Sequence, residues 1–404
     1  MMVLWKTLIL GLLLLGNAGV AMGQEIGFDR GQVFDEVWEL VNKDFFDPQF
    51  RGIDWENSRT DFRPQALAAP SHKEFSDVMG RLLAELRTSH TAYFSTTNPK
   101  RYQLLGVFEH LAPDDRLDLL EYDGIGMDTE TRGDRIFIRS VYDGFSAAKC
   151  GLKFGDQIVS VDGKSFDPLV SFQGLAGKPV RMEIRRSPNG PSEVLDVMVQ
   201  KLNGRTMFET ALDASVRVIE SHGQRVGYVH MWSYAGSKYQ DQLRDHILYG
   251  GLKDCDSLVL DLRDGWGGAD LGYLNLFRDA IAQTRSQGRT GAAANYSGVW
   301  GKPVALLINE RSTSGKELFV YGFKKLKLGP IIGRPTAGAV VGGRPTLLSN
   351  GDVLYLAVSD VWVDDIHLEG TGVEPTVEVE RLLPFAAGAD AQLDRAVLEL
   401  TGGG

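Results

Sequence analysis

The sequence predicts an α/β protein with a helical N-terminal region and an inserted β-rich domain. Three patterns lead to this fold class. Apolar residues recur at helical spacing up to about residue 118, short β-like runs between turn residues follow, and strands then alternate with helices. We divide the chain into 1–23, a signal peptide; 24–118, an N-terminal helical domain; 119–203, the β-rich domain; 204–382, an α/β core; and 383–404, a C-terminal helix and tail.

The composition is that of an ordinary globular protein of two or three domains. Of the 404 residues, 43% are hydrophobic and 24% charged, so collagen-like, coiled-coil and disordered chains are poor fits. The 43 basic against 53 acidic residues give a formal charge of −10, which disfavours nucleic acid as a partner. The two cysteines, Cys150 and Cys255, rule out a disulfide scaffold and a multi-cysteine zinc site, and whether they pair stays open.

Residues 1–23 have the anatomy of a secretory signal peptide. Lys6 supplies a positive charge, residues 8–15 form a short apolar core, and small residues follow, with cleavage expected after Ala21 or Gly23. The alternative is a membrane anchor, but the apolar run is well short of the roughly 20 residues that a spanning helix needs. We therefore expect a soluble periplasmic or secreted protein without stable membrane insertion.

The N-terminal domain contains two predicted helices and a polar loop. Apolar residues at helical spacing over 33–41 predict the first helix, which Asp47-Pro48 closes. Ser71 followed by Glu74 is the capping-box pattern of a second helix. After that helix, Ser89 and His90 lie in a polar insertion before an aromatic, strand-like piece.

The β-rich domain has strand-like runs at 135–141, 157–161, 180–185 and 194–199, and a short helix at 145–150. Residues 146–158, with the sequence SAAKCGLKFGDQI, resemble the signature of PDZ domains in bacterial secreted proteases. This resemblance implies that Gly124, Ile125 and Gly126 belong to a peptide carboxylate-binding loop, and that an extended peptide adds to the sheet as a strand. The alternative is a generic small β domain.

The core alternates strands and helices, which indicates an α/β arrangement. Strands are predicted at 226–231, 257–262, 304–308 and 331–333, helices at 238–249, 270–283 and 315–326, an apolar hairpin-like pair at 353–363, and a closing helix at 390–400.

Two loops follow buried strands of this core. The first, residues 261–268, contains Gly265, Gly267 and Gly268, whose backbone N–H groups are free to point into a cavity. The alternatives are a tight strand-to-helix turn and a phosphate loop, and the missing Gly-Lys-Ser/Thr ending argues against the latter. The second loop, residues 309–317, places Ser312 and Ser314 before a helix. A serine there suits a nucleophile whose product is an oxyanion, and a helix N-cap is the alternative.

His90 is the histidine that stands out, because Ser89 and Thr91 flank it in a loop. An imidazole can take the proton from a serine, and an acidic group, as in the segment Leu368 to Pro375, can hold its tautomer. A lone histidine is more often a surface or core residue, and His230, in mid-strand, is expected to pack.

The loops and the PDZ-like domain, taken in order, resemble one family: the C-terminal processing (tail-specific) serine proteases and their tricorn-core relatives. The matching segments are Ser89-His90-Thr91, the PDZ-like run, Asp261-Leu262-Arg263, Ser312 to Glu317, and Glu369 to Pro375. The resemblance covers nearly all of residues 28–400. It implies a crotonase/ClpP-like α/β spiral core with an inserted PDZ domain.

The resemblance also implies roles for individual residues. Ser314 matches the nucleophile, and Gly267 and Gly315 match the donors of the oxyanion hole. One position departs from the tail-specific branch, where a lysine is the base: this chain has Ala339 there. The tricorn branch uses a histidine instead, so the resemblance implies His90 as base, Ser89 as relay and Glu369 as the orienting acid.

The sequence thus predicts a secreted or periplasmic serine endopeptidase that acts on protein or peptide substrates and needs no cofactor or metal. An unperturbed imidazole titrates near pH 6.5, so the rate is expected to rise near neutrality. The alternative is a catalytically silent module of the same fold that only binds peptides or ligands. A lipase or esterase fits less well, because the Gly-x-Ser-x-Gly elbow is missing.

Overall fold

The computed structural model describes residues 27–108, 111, 116–280, 282–291 and 293–402. The predicted signal peptide, residues 1–23, lies outside the described residues. The helices within them are α1 (Arg30–Asp44), α2 (Trp55–Ala68), α3 (His72–Ala84), α4 (Pro99–Val107), α5 (Ser146–Lys149), α6 (Met207–Ser215), α7 (Ser237–Leu248), α8 (Gly315–Lys325) and α9 (Ala391–Thr401).

The strands fall into several sheets. They are β1 (Ala92–Phe94), β2 (Glu121–Gly124), β3 (Met127–Arg132), β4 (Arg135–Val141), β5 (Gln157–Val161), β6 (Pro179–Arg185), β7 (Ser192–Met198), β8 (Gln200–Asn203), β9 (Arg217–Ser221), β10 (Gln224–His230), β11 (Ser257–Asp261), β12 (Thr284–Gln287), β13 (Ala293–Tyr296), β14 (Val304–Ile308), β15 (Ile331–Gly333), β16 (Gly342–Leu347), β17 (Val353–Ser359) and β18 (Val377–Glu378). The fold is α/β, as the sequence predicts.

The N-terminal helices pack on a strand pair from the far end of the chain. Phe34 of α1 and Phe75 and Leu82 of α3 are buried against Leu354 and Leu356 of β17. Strand β1 pairs with β17, which pairs with β16, so one three-stranded sheet joins residues about 260 positions apart. The predicted cap of α3 is present, since Ser71 Oγ accepts from the Glu74 amide at 3.2 Å. This packing brings the loop before β1 beside the C-terminal part of the core.

The inserted domain is a five-stranded antiparallel sheet in the order β3-β4-β5-β6-β7, with α5 beside it. Its core is its own: Ile138, Met182 and Val197 are buried with Ala147 of α5. The predicted strands at 135–141 and 157–161 have the bounds that the structure shows.

The central sheet has the order β18-β15-β14-β11-β10-β9, parallel except for the edge strand β9. Leu258 and Leu260 of β11 face one hydrophobic cluster, which α6, α7 and α8 cover. Val259 faces another, which α9 covers. Burial on both faces explains why these strands have continuous apolar sequences. Because β11 and β14 are parallel neighbours, the loops that follow them meet at one sheet edge.

Two local predictions are wrong. Residues 270–283 are not an α-helix: a 3₁₀-helix spans Leu271–Phe277, and the exposed strand β12 follows. The 3₁₀-helix buries Leu274, Leu276 and Phe277. In an α-helix, residues two apart such as Leu274 and Leu276 lie on different faces, so an α-helix could not bury all three on one face. Residues 353–363 do not fold back on themselves either, because β17 pairs with β16, which precedes it.

Within the part of the chain that the structure describes, no helix has the length and apolar character needed to cross a bilayer.

Candidate active site

A cleft of about 530 Å³ lies at the edge where β11 and β14 end. We call it the central cleft. The sequence-predicted residues that line it are Ser89, His90, Gly267 and Ser314, and Ala339 lies beside them. The cleft therefore gathers side chains from the N-terminal domain and from both core loops.

Ser89 lies between His90 and Glu369. Its Oγ is 2.9 Å from Nδ1 of His90 and 2.9 Å from Oε2 of Glu369. The carboxylate can only accept, so the hydroxyl gives it its single proton and accepts in turn from Nδ1–H of His90. This chain of donors fixes the imidazole tautomer and leaves the lone pair of His90 on Nε2.

Glu369 holds three segments together. Oε1 accepts from the Ser89 amide at 2.8 Å and from Thr88 Oγ1 at 3.2 Å, and Oε2 accepts from the Val340 amide at 2.8 Å. These bonds orient the carboxylate toward Ser89. The geometry therefore places the Glu369 carboxylate beside the Ser89–His90 pair.

The electrostatics of the cleft keep His90 neutral. Burial lowers the pKa of His90 from 6.5 to about 4, and the charge of Glu369 opposes this shift only in part. The ring also contacts Tyr355, at 5.2 Å between ring centroids. A neutral imidazole with a free Nε2 has the protonation state that a general base requires.

Ser314 is the N-cap residue of α8 and has an unusual backbone, with φ 58° and ψ −129°. A positive φ in a serine is strained and is found most often at functional sites. Two acceptors hold its amide: the Ala339 carbonyl at 2.8 Å and Glu317 Oε2 at 3.1 Å. Ser314 is therefore an N-cap residue, which does not prevent it from being a nucleophile as well. Its place in the wall of the cleft favours the nucleophile interpretation.

Ser312 has a different environment. Its side chain is fully buried, its Oγ donates to the Leu262 carbonyl at 2.9 Å, and it accepts from the Asn309 amide at 3.1 Å. Ser312 thus ties the loop after β14 to the loop after β11 and lies outside the cleft wall.

The glycines after β11 bring backbone amides next to Ser314. A Cβ on Gly267 would lie 2.6 Å from the Cβ of Ser314, so only glycine fits there. The N–H groups of Gly267 and Gly268 have no acceptor among the described residues. Gly315 is buried in the first turn of α8 and packs on the backbone of Gly268 and Ala269, beside the cleft rather than in its wall.

Lys316 is a residue near this site that the sequence patterns do not reveal. Its side chain is fully buried, and Nζ donates to the Asp264 carbonyl at 2.7 Å, one residue before the glycines. Burial lowers the pKa of this lysine to about 7. The lysine lies beneath the loop of residues 264–268 rather than in the cleft, and no sequence signal distinguished it from a solvated lysine.

The inserted domain reaches the same loop through Arg139 of β4. Arg139 Nε donates to Asp264 Oδ1 at 3.2 Å and Nη2 to Glu310 Oε1 at 2.7 Å. Asp264 is also buried, and the neighbouring arginine lowers its pKa against the cost of burial. One buried ion pair thus joins the inserted domain to the loop of residues 264–268.

A smaller groove adjoins the central cleft. Gly124, Ile125 and Gly126 line it, opposite Phe166 and Phe172. Gly126 has φ 82°, and a Cβ there would lie 2.2 Å from that of Phe145, so the turn requires glycine. The amides of Ile125 and Gly126 have no acceptor among the described residues. The groove and the cleft have four lining residues in common, which are Lys100, Gln103, Asp128 and Arg311.

Three family models match the chain. They are peptidase family S41 over residues 225–379, the tricorn protease C1 domain over 29–84, and the PDZ domain over 137–186. Tricorn protease homolog 1 of Streptomyces coelicolor is 28% identical over 391 residues, which are 91% of this chain and 34% of that protein. The chain spans about a third of the length of such tricorn relatives.

Two solved structures share the fold. The crystal structure of the tricorn protease has a TM-score of 0.58 at 22% identity, over 93% of this chain and 36% of that one. The photosystem II D1 C-terminal processing protease has a TM-score of 0.50 at 20% identity, over 91% of this chain and 99% of that one.

Proposed function

We infer the function from one premise: the chain belongs to the PDZ-containing, tricorn-core-like serine peptidases of family S41. We propose that it is a serine endopeptidase that cleaves protein or peptide substrates, with Ser314 as nucleophile and His90 as general base. The observation that carries this proposal is the Ser89 hydroxyl between His90 and Glu369, at 2.9 Å from each.

In the proposed reaction, Ser314 Oγ attacks the scissile carbonyl and Nε2 of His90 takes its proton. The new oxyanion accepts from the amides of Gly267 and Gly315, both next to Ser314. The C–N bond breaks as the imidazolium returns its proton to the leaving amine, which leaves an acyl-enzyme. A water molecule, deprotonated by His90, then hydrolyses the ester.

Ser89 and Glu369 act through His90. When His90 becomes an imidazolium, Ser89 accepts from Nδ1–H and passes the interaction to the carboxylate, whose charge stabilises the cation. The amides of Ser89 and Val340 both donate to the carboxylate and hold it in place beside Ser89.

The PDZ domain is proposed to hold the peptide. An extended segment added beside β3 would place its end at the free amides of Ile125 and Gly126, and the rest of the peptide would enter the adjoining cleft. The predicted signal peptide at 1–23 supports a periplasmic or secreted location.

The test is peptide hydrolysis by the full chain and by Ser314→Ala, using a denatured protein and a quenched fluorescent peptide. We expect turnover by the wild type and none by Ser314→Ala at unchanged folding. A wild-type chain that binds the peptide without cleaving it would instead support a silent binding module.

A further inference from the structure

A cavity of about 390 Å³ lies between the inserted domain, the core sheet and the segment before α9. We call it the interdomain cavity. It has no lining residue in common with the central cleft. Its charged lining residues are Arg139, Lys153, Arg217, Arg263 and Arg381, with Asp143, Asp264 and Asp390. Its volume lies in the range of sites that bind small organic ligands. The balance of charges in its lining then decides what kind of ligand it could bind.

Two of the five cations have their own carboxylates. Arg139 pairs with Asp264, and Arg263 pairs with Asp261 behind it. The carboxylates of the protein thus neutralise Arg139 and Arg263, and these two arginines offer little positive charge to a ligand.

The other three cations are undercompensated. Both oxygens of Asp390 accept from Arg263 at 2.8 Å, so Arg381 has only a 3.4 Å contact with the same carboxylate. Arg217 donates to the Ser215 carbonyl and stacks on Tyr228. It forms no ion pair with a described residue, and Asp143 acts on it only as a nearby charge. The Lys153 ammonium likewise has no carboxylate within ion-pair distance in the described part of the chain.

The remaining acid does not cancel this excess. Asp143 makes no ion pair with a described residue. Burial raises the pKa of its carboxyl group, and the nearby His230 and Arg217 oppose this shift only in part. Its neutral form is therefore favoured relative to an exposed aspartate, and the cavity keeps a positive balance.

Three hydrogen-bond donors in the lining are also without a partner among the described residues. Ser140 is 5% exposed and its Oγ has no hydrogen-bond partner. Nε of Arg381 is buried without a partner too, while its guanidinium stacks on Phe154 at 3.7 Å. The third donor is the buried indole Nε1 of Trp232. Buried donors in folded proteins nearly always have an acceptor, so these groups point to an acceptor that the protein itself does not supply.

We propose that the interdomain cavity binds a small organic anion that carries phosphate or carboxylate groups, with Arg381, Arg217, Lys153 and Ser140 as its ligands. Guanidinium groups match such oxyanions because their planar N–H donors reach two oxygens at once. The bound anion would join three parts of the chain: Ser140 and Lys153 of the inserted domain, Arg217 of the core, and Arg381 of the C-terminal segment.

The test is calorimetric titration and thermal unfolding of the full chain with inorganic phosphate and with citrate, against chloride at equal ionic strength. We expect one of the two anions to bind and to raise Tm. Phosphate alone would identify a phosphate-bearing ligand and citrate alone a polycarboxylate. Binding of both anions would support a site that accepts phosphate and carboxylate groups alike.

Variants locate the site. Arg381→Met should weaken binding about tenfold or more, since a charge-assisted hydrogen bond is lost. Lys153→Met, at an exposed position that leaves folding intact, should weaken binding severalfold. The matched control Arg395→Met, which removes an exposed arginine paired with Glu399, should bind like the wild type. The proposal would be overturned if neither anion bound to the wild type, or if Lys153→Met bound as tightly as the wild type. The second comparison holds even if Arg381→Met does not fold.

Discussion

The Ser89 hydroxyl donates a 2.9 Å hydrogen bond to Glu369, although 280 residues separate the two in the chain. The contact exists because β1, which follows Ser89 closely, pairs with β17, which precedes Glu369. The N-terminal domain and the end of the core therefore supply the two halves of one hydrogen-bonded chain, which serves as the relay in the proposed mechanism.

The first prediction concerns pH. In the proposed mechanism the active base is the neutral form of His90, whose pKa is lowered to about 4 because the ring is buried. As pH rises through about 4, the neutral fraction grows, so kcat/KM should rise there and stay level between about pH 6 and 8. The sequence alone suggested a rise near neutrality. Steady-state kinetics from about pH 3 to 8 distinguish the two expectations. An inflection of kcat/KM at pH 6.5 or above would contradict a base whose pKa is lowered by burial.

Replacing Glu369 by Gln tests the relay. The carboxylate accepts four hydrogen bonds, and an amide nitrogen in place of either oxygen would face donors instead of accepting from them. We expect kcat/KM to fall about 10–100-fold, less than the roughly 10²–10⁴-fold loss in His90→Ala, which removes the base itself. Thr88→Ala, which removes only the 3.2 Å bond to Glu369, is the control and should stay near wild-type activity. A Glu369→Gln enzyme as active as Thr88→Ala would exclude Glu369 from the relay.

Lys316 is expected to position the loop of residues 264–268, which carries the proposed oxyanion donor Gly267. Lys316→Met keeps most of the side-chain length but loses the 2.7 Å bond to the Asp264 carbonyl. We expect kcat to fall about tenfold at unchanged KM, a smaller loss than the roughly 10²–10³-fold seen when a donor itself is removed. Lys324→Met, on the same helix, loses a similar bond to the exposed Glu374 carbonyl and serves as control. A change in KM alone would assign Lys316 to substrate binding.

Lys100 is expected to select peptides with a free C-terminus. It lines both the groove and the central cleft, and its ammonium has no carboxylate partner among the described residues. Lys100→Met should raise KM severalfold for a peptide acid and leave KM for the matching amide unchanged. Lys73→Met, which removes an exposed lysine paired with Asp77, is the control. Equal effects on acid and amide would argue against recognition of a peptide end.

The sequence was informative where a single segment determines the structure. The apolar runs of β11 and β14 need burial on both faces, so they predicted buried strands of an α/β core and the loops that follow them. Those loops carry Gly267 and Ser314, which the structure places in one cleft. Local sequence singled out Ser89 and His90, and the resemblance supplied their roles and Glu369, whose proximity no local pattern could establish.

The features that sequence reasoning missed depend on contacts between distant segments. Helix α2 has a polar sequence and an internal Pro64, so no periodic pattern revealed it. Arg139 and Lys316 look like solvated charges in the sequence, and only the fold buries them against Asp264. The pairing of β16 with β17, by contrast, is local: a tight turn that contains Asn350-Gly351 joins the two strands, and sequence reasoning missed this hairpin signal.

The most direct test of the central claim is covalent labelling by a fluorophosphonate, with the modified residue located by peptide mass spectrometry. The account predicts one adduct, on Ser314, in the wild type and in Ser312→Ala. Ser312→Ala should also lose about 1–3 kcal/mol of unfolding free energy, because its hydroxyl makes two buried hydrogen bonds. Ser314→Ala should remain unlabelled while unfolding like the wild type. An adduct that persists in Ser314→Ala and disappears in Ser312→Ala would contradict the account.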